Sequence, residues 1–127
     1  MQSPEVVLTV PAESSFVSLV RTATAAISAQ ADFTLDALDD LQLAVAEACA
    51  LVIADTPAGA DLTVGFQVLG GQVRVDLAAA SVSGRPVGTG TFAWTVLTAL
   101  VDRVRTDVRD GVLHIELFAH GVGPVDP

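Results

Sequence analysis

Two dipeptides limit what this chain can fold into more than any other feature. Gly70-Gly71 and Asp110-Gly111 each stand between two stretches in which apolar and polar residues alternate. A two-residue loop of this kind closes a tight hairpin, and a tight hairpin joins only antiparallel neighbours. The first pair of stretches is Asp61 to Val68, with Leu62, Val64, Phe66 and Val68 on one face, and Gln72 to Ala78, with Val73, Val75 and Leu77. The second runs from about Val104 to Ala119. Four strands, each with one apolar face, are expected. That apolar face needs a cover.

The cover comes largely from the first half of the chain. Glu5 to Val10 alternates as a further strand and stops at Pro11. Ser14 or Ser15 can cap a helix with an apolar stripe of Phe16, Leu19, Val20, Ala23 and Ile27, from which Arg21 points away. Thr34 caps a second helix, with Asp36, Asp39 and Asp40 at its positive end. Its core stripe is Leu38, Leu41, Val45, Ala48, Cys49 and Val52, and Pro57-Ala58-Gly59 closes it. Ser81 to Gly90 reads as a loop. Phe92 to Val101 is apolar nearly all round, which predicts a third, well-buried helix. The order strand, two helices, two strands, helix, two strands predicts a single-domain α+β two-layer sandwich, its sheet mainly antiparallel with the helices on one face. Residues 1–120 form the domain, and 121–127 form a flexible tail.

Charge and cysteine content exclude several functions. The net charge is −9 and all six basic residues are Arg. Such a surface repels phosphate backbones, so direct nucleic-acid binding is not expected, whereas a basic protein partner is attracted. No apolar run approaches the roughly 20 residues of a membrane span, and the N-terminus lacks the pattern of a signal peptide. The single Cys49 permits no internal disulfide, so a cytoplasmic location is expected. His114 and His120 have no Cys partner and make no metal site. Cys49 lies on the core stripe and reads as a small buried hydrophobe.

The most informative helical position is Glu47. It lies opposite the core stripe, with Leu43 and Leu51 at i−4 and i+4. An acid between leucines on a second face implies that a lid or a partner covers it. The whole run LQLAVAEACALVIAD, Leu41 to Asp55, resembles the signature helix of the histidine-kinase-like (GHKL) ATPases, in particular the anti-sigma factor serine/threonine kinases, where it reads roughly V-x-E-A-x-T-N-A-x-x-H. Val45, Glu47 and Ala48 fit. The Asn position is Leu51, the His position is Asp55, and no Asn occurs in the 127 residues.

In the resembling kinases the Glu helps activate the attacking group, a vestigial base here if it is Glu47. The Asn oxygen there holds Mg²⁺ among the nucleotide phosphates. Mg²⁺ demands hard oxygen ligands, and Leu51 has none. The family also places an Asp-x-Gly-x-Gly motif after the strand corresponding to Gln72–Ala78, its Asp accepting a bond from adenine. Here the region reads LAAASVSGRPVG, and no Asp occurs between Asp76 and Asp102. Gly88-Thr89-Gly90-Thr91, leading into the third helix, resembles the second glycine motif, a weak nucleotide-binding signal. Arg21 corresponds to an Arg position of the anti-sigma kinases, which makes it the candidate partner-binding residue.

The resemblance implies the family fold, a mixed sheet covered by helices, usually forming a homodimer. It implies a regulator that sequesters a sigma factor and answers to a STAS-type antagonist, with the ATP site degenerate, no metal and no cofactor. The alternative is an active serine/threonine kinase that binds Mg-ATP and phosphorylates that antagonist. A STAS-type domain itself would alternate strands with helices, and the two consecutive helices from Ser14 to Ala54 argue against it.

Overall fold

In the computed structural model, which describes residues 5–121, the elements are β1 (Glu5–Pro11), a 3₁₀ turn at Ser14–Phe16, α1 (Val17–Gln30), α2 (Leu35–Ala54), β2 (Asp61–Leu69), β3 (Gln72–Ala80), α3 (Phe92–Leu100), β4 (Arg103–Arg109) and β5 (Val112–His120). Both hairpins form on the expected dipeptides. Asp110 and Gly111 have φ of 51° and 76°, the two left-handed residues of a type I′ turn, and Arg109 faces Val112 across it. Gly70 alone is left-handed in the other turn, at φ 64°, and Leu69 faces Gln72.

The sheet runs β1-β2-β3-β5-β4, and every neighbouring pair is antiparallel. The mixed sheet implied by the resemblance is therefore corrected. The connection through α3 does make β3 and β4 run parallel, but β5 lies between them, so no parallel ladder forms. The three helices cover one face: α1 packs on β2, α2 on β3 and β5, and α3 on β4. Their shared core includes Val20, Leu41, Val45, Val52, Phe66, Val75, Leu77, Leu97 and Ile115, each at most 1% exposed. Burying such side chains is the main stabilising term, roughly 1.5–3 kcal/mol for each large one.

The helix caps are local chemistry. Thr34 accepts from the Ala37 amide at 3.2 Å, and Thr91 accepts from the Trp94 amide at 3.2 Å. Four expectations need correction. Leu19 was placed on the core stripe but is 49% exposed; the buried line of α1 is Val20, Thr24, Ile27 and Ser28, because α1 turns its small polar residues toward α2 and β2. Leu38 is only half-buried, and Ala44 is buried in addition to the expected stripe of α2. The third helix is not well buried: of its nine residues only Leu97 is buried, and Phe92 is 83% exposed. It covers the sheet margin, so one side of it faces solvent. Gly121, assigned to the tail, belongs to the fold. Its amide donates to Gly71 O at 2.8 Å and its carbonyl accepts from the Thr34 amide at 2.7 Å. Residues 122–127 lie outside the described residues.

Candidate functional site

Leu43, Glu47, Leu51 and Asp55 follow one another at intervals of four, so they line one side of α2. The cover expected over this side is partial. Glu47 and Leu51 are half-buried, and Leu51 packs against the core, but Leu43 remains 47% exposed. Glu47 has no ion-pair partner among the described residues. A half-buried carboxylate with no fixed partner is free to meet another molecule.

α1 and α3 flank α2 on opposite sides, as the strands beneath them dictate. α3 runs antiparallel to α2, since Ala37 and Asp40 at the start of α2 share a cleft with Leu100 and Val101 at the end of α3. The Gly88–Thr91 segment at the start of α3 is thereby placed toward the end of α2 that carries Leu51 and Asp55.

Asp55 is the most heavily engaged side chain of the region. It accepts a 2.5 Å bond from Ser81 Oγ, a 2.9 Å bond from the Ser83 amide and a 3.0 Å bond from Ser83 Oγ. Its backbone carbonyl accepts from the Val82 amide at 2.7 Å. Ser81 Oγ also accepts from the Gly84 amide at 2.9 Å. The end of α2 thus clasps the segment that follows β3. The bonds from the Ser81 hydroxyl, the Ser83 amide and the Ser83 hydroxyl hold the Asp55 carboxyl below the ordinary carboxylate range. Sequence reasoning placed Asp55 at the His position of the resembling kinases and missed the clasp. One signal was available: an acid at a helix C-terminus opposes the macrodipole, so it needs donors from elsewhere.

Gly88, Thr89 and Gly90 are exposed, and neither glycine has a positive φ. Thr89 and Gly90 form a turn, but one whose backbone does not require glycine. Thr91 closes the segment, its hydroxyl donating to Gly88 O at 3.0 Å while it caps α3. Val87 is tied to β4 by its amide, which donates to Thr106 Oγ1 at 3.2 Å.

Arg21 lies on the other flank, separated from the glycine segment by α2. It is exposed and has no ion pair among the described residues, although its carbonyl accepts from Gln42 Nε2 at 3.1 Å. Leu19, two residues before Arg21 on α1, is 49% exposed. α1 thus carries an exposed guanidinium, without an ion pair among the described residues, and an accessible leucine. Glu47 and the helix that the glycine segment enters lie on one side of α2, and Arg21 lies on α1 at the other.

The remaining titratable groups sit elsewhere. Burial pushes the Cys49 thiol up to about 12, which suits an inert core residue. His114 faces Asp76 at 3.3 Å on the uncovered face of the sheet, and His120 Nδ1 lies 2.9 Å from Asp102. A cleft of about 780 Å³ between the start of α2 and the end of α3 holds none of the predicted site residues. No helix among the described residues is long and apolar enough to cross a membrane.

No protein-family model matches the chain. Over 119 residues it is 36% identical to the anti-sigma-F factor RsbW of two Mycobacterium tuberculosis strains, spanning 88% of this chain and 71% of that protein. A 54-residue stretch, 42% of the chain and 33% of the relative, is 41% identical to the serine-protein kinase RsbW of Halalkalibacterium halodurans. The crystal structure of the RsbU and RsbW domains of a Mycobacterium tuberculosis protein superposes with a TM-score of 0.74 at 18% identity, over 93% of this chain and 32% of that one.

Proposed function

As the chain belongs to the RsbW family of anti-sigma factors, we propose that it sequesters a sigma factor by direct protein–protein binding, with little or no use of a nucleotide. The observation that carries the second half is the Asp55 clasp. At the position where the resembling kinases have His stands a carboxylate already satisfied by Ser81 and Ser83. An ionised carboxylate at that position repels phosphate instead of receiving it. Leu51, one turn earlier, supplies packing in place of a metal-binding oxygen. The donor set thus does not fit Mg-ATP, and no phosphoryl-transfer step is derived through it.

Sigma binding rests on a different surface. Arg21 offers a planar fork on α1, a helix that also exposes Leu19, and Arg is enriched among the residues that dominate protein interfaces. The acidic remainder of a chain of net charge −9 steers a basic partner toward it. A STAS-type antagonist that competes for this surface would release the sigma factor, and a homodimer would present it twice. Both belong to the same reading, as does action in the cytoplasm.

Calorimetry with millimolar Mg-ATP, and capture of sigma factors by the immobilised chain, test the two halves separately. The expected result is no saturable heat with ATP and retention of one sigma factor. Micromolar ATP binding, on the order of −8 kcal/mol, would overturn the nucleotide half. The second reading is an active serine kinase. It is favoured by Glu47, an acid without an ion-pair partner among the described residues, on the side of α2 that faces α3, the helix that the exposed glycine segment enters. Phosphate transfer from ATP to a STAS-type substrate would establish it.

A further inference from the structure

β4 forms one edge of the sheet and, among the described residues, pairs only with β5. Its hairpin fixes which backbone groups are free. Arg109 and Val112 close the type I′ turn, so they exchange both their hydrogen bonds, and the alternation continues down the ladder. Arg109, Asp107, Arg105 and Arg103 therefore bond inward to β5. The N–H and C=O groups of Val108, Thr106 and Val104 point outward, and no other backbone group among the described residues meets them.

The side chains along this edge are unusual for the chain. Arg103, Arg105 and Arg109 are three of its six basic residues, gathered on one seven-residue strand of a protein with net charge −9. Two of the three have an acidic neighbour among the described residues. Glu116 is held by Arg74 at 2.8 Å and lies 3.9 Å from Arg105. Asp107 is held by Arg109 at 3.2 Å, and Arg103 lies 4.4 Å above the ring of Phe118. The side chains of Arg105 and Arg109 remain 67% and 63% exposed.

We propose that β4 is a docking edge for an extended acidic segment of a partner protein, added to the sheet as a sixth strand. The segment's backbone meets the outward groups of Val104, Thr106 and Val108. Its carboxylates stand opposite Arg103, Arg105 and Arg109, at the pair positions where side chains approach most closely. A second copy of this chain fits less well. Set antiparallel about Thr106, β4 places Arg105 against Asp107 but also Arg103 against Arg109, twice each, between two chains of net charge −9. Charges on an edge keep like copies apart, and the same arginines select an acidic strand. This edge lies across the sheet from α1, so the inference is independent of the sigma-binding reading.

The test uses the full chain and the synthetic peptide Glu-Val-Glu-Thr-Glu-Val-Glu, with amide shifts followed by NMR at low salt. Binding is expected with shifts centred on β4, and the peptide with Lys for every Glu is expected not to bind. Thr106→Pro removes an outward donor while sparing the bonds to β5, and should weaken binding by about tenfold or more. Thr106→Val, which loses only the contact to Val87, should bind as the parent does. Arg105→Glu combined with Arg109→Glu, two exposed changes, should abolish binding. Absence of binding, shifts centred elsewhere, equal binding of the Lys peptide, or binding that survives the double charge reversal would each overturn the proposal. So would a concentration-dependent dimer that the double reversal dissolves, since it would assign the edge to a second copy.

Discussion

Leu97→Ala tests how the third helix is held. α3 has nine residues, fewer than the roughly 12–15 that make an isolated helix even marginally stable in water. Its helicity therefore depends on packing, and Leu97 is its one buried side chain. Removing a fully buried leucine side chain costs about 2–5 kcal/mol, depending on how far the surroundings collapse into the space. Trp94 and Leu100 still pack partly against the core and permit some collapse, which puts the expectation near 3 kcal/mol. With a urea slope of roughly 2 kcal/mol per molar, the midpoint should fall by about 1.5 M. Hydrogen exchange should show the α3 amides losing more protection than those of β3, because the remaining anchors are only partly buried. A midpoint shift under roughly 0.5 M would mean that α3 is held by its ends, through Thr91 and Val101, and would refute the anchoring argument.

Gly121→Ala should destabilise by about 1–3 kcal/mol in urea, because the new methyl meets the Phe33 ring and lies 3.2 Å from its Cα; unchanged stability would return Gly121 to a tail. Asp55→Ala should lose stability most at neutral pH: the folded pKa lies below the ordinary value near 4, so the clasp contributes fully above that value and fades as pH falls through the lowered one. A difference between the two proteins that does not shrink on acidification would contradict this. Leu51→Asn should cost roughly 1–3 kcal/mol by urea titration, since an amide replaces packed leucine, without creating ATP binding measurable by calorimetry. Arg21→Ala should weaken association with the captured sigma factor by about 2 kcal/mol or more while barely moving the unfolding midpoint; wild-type affinity would leave Arg21 as ordinary surface.

Much of this fold is readable from local chemistry. Asp110-Gly111 and Gly70-Gly71 specify their hairpins because the required φ values belong to those residues and not to their surroundings. Thr34 and Thr91 cap helices through bonds spanning three residues. What failed depends on distant partners. Leu19 and Thr24 compete for the inner face of α1, and hydrophobicity alone prefers Leu19. Thr24 goes inside because its hydroxyl is satisfied within the helix, donating to Val20 O at 2.8 Å, which makes it a compact, nearly apolar residue against α2. The exposure of α3 could not be read either, since an all-apolar segment looks the same whether it is enclosed or lies over the margin of a sheet.

The site divides along the same line. Glu47, Leu51 and Asp55 share a side of α2 by helical spacing alone, so their alignment is legible. The clasp is not, because Ser81 and Ser83 lie 26 and 28 residues beyond Asp55 and reach it only after β2 and β3 have paired. That geometry couples two departures which look unrelated in the sequence. A carboxylate ending α2 sits where the macrodipole is already negative, and it is tolerable only if donors are brought to it. The hydroxyls and amide of the segment after β3 are those donors, and once committed to Asp55 they are withdrawn from any bound nucleotide. On the reading proposed above, the loss of the adenine-binding Asp and the replacement of His by Asp55 are one structural change. On the same reading, restoring an oxygen at Leu51 alone would leave both ends of the nucleotide without a seat.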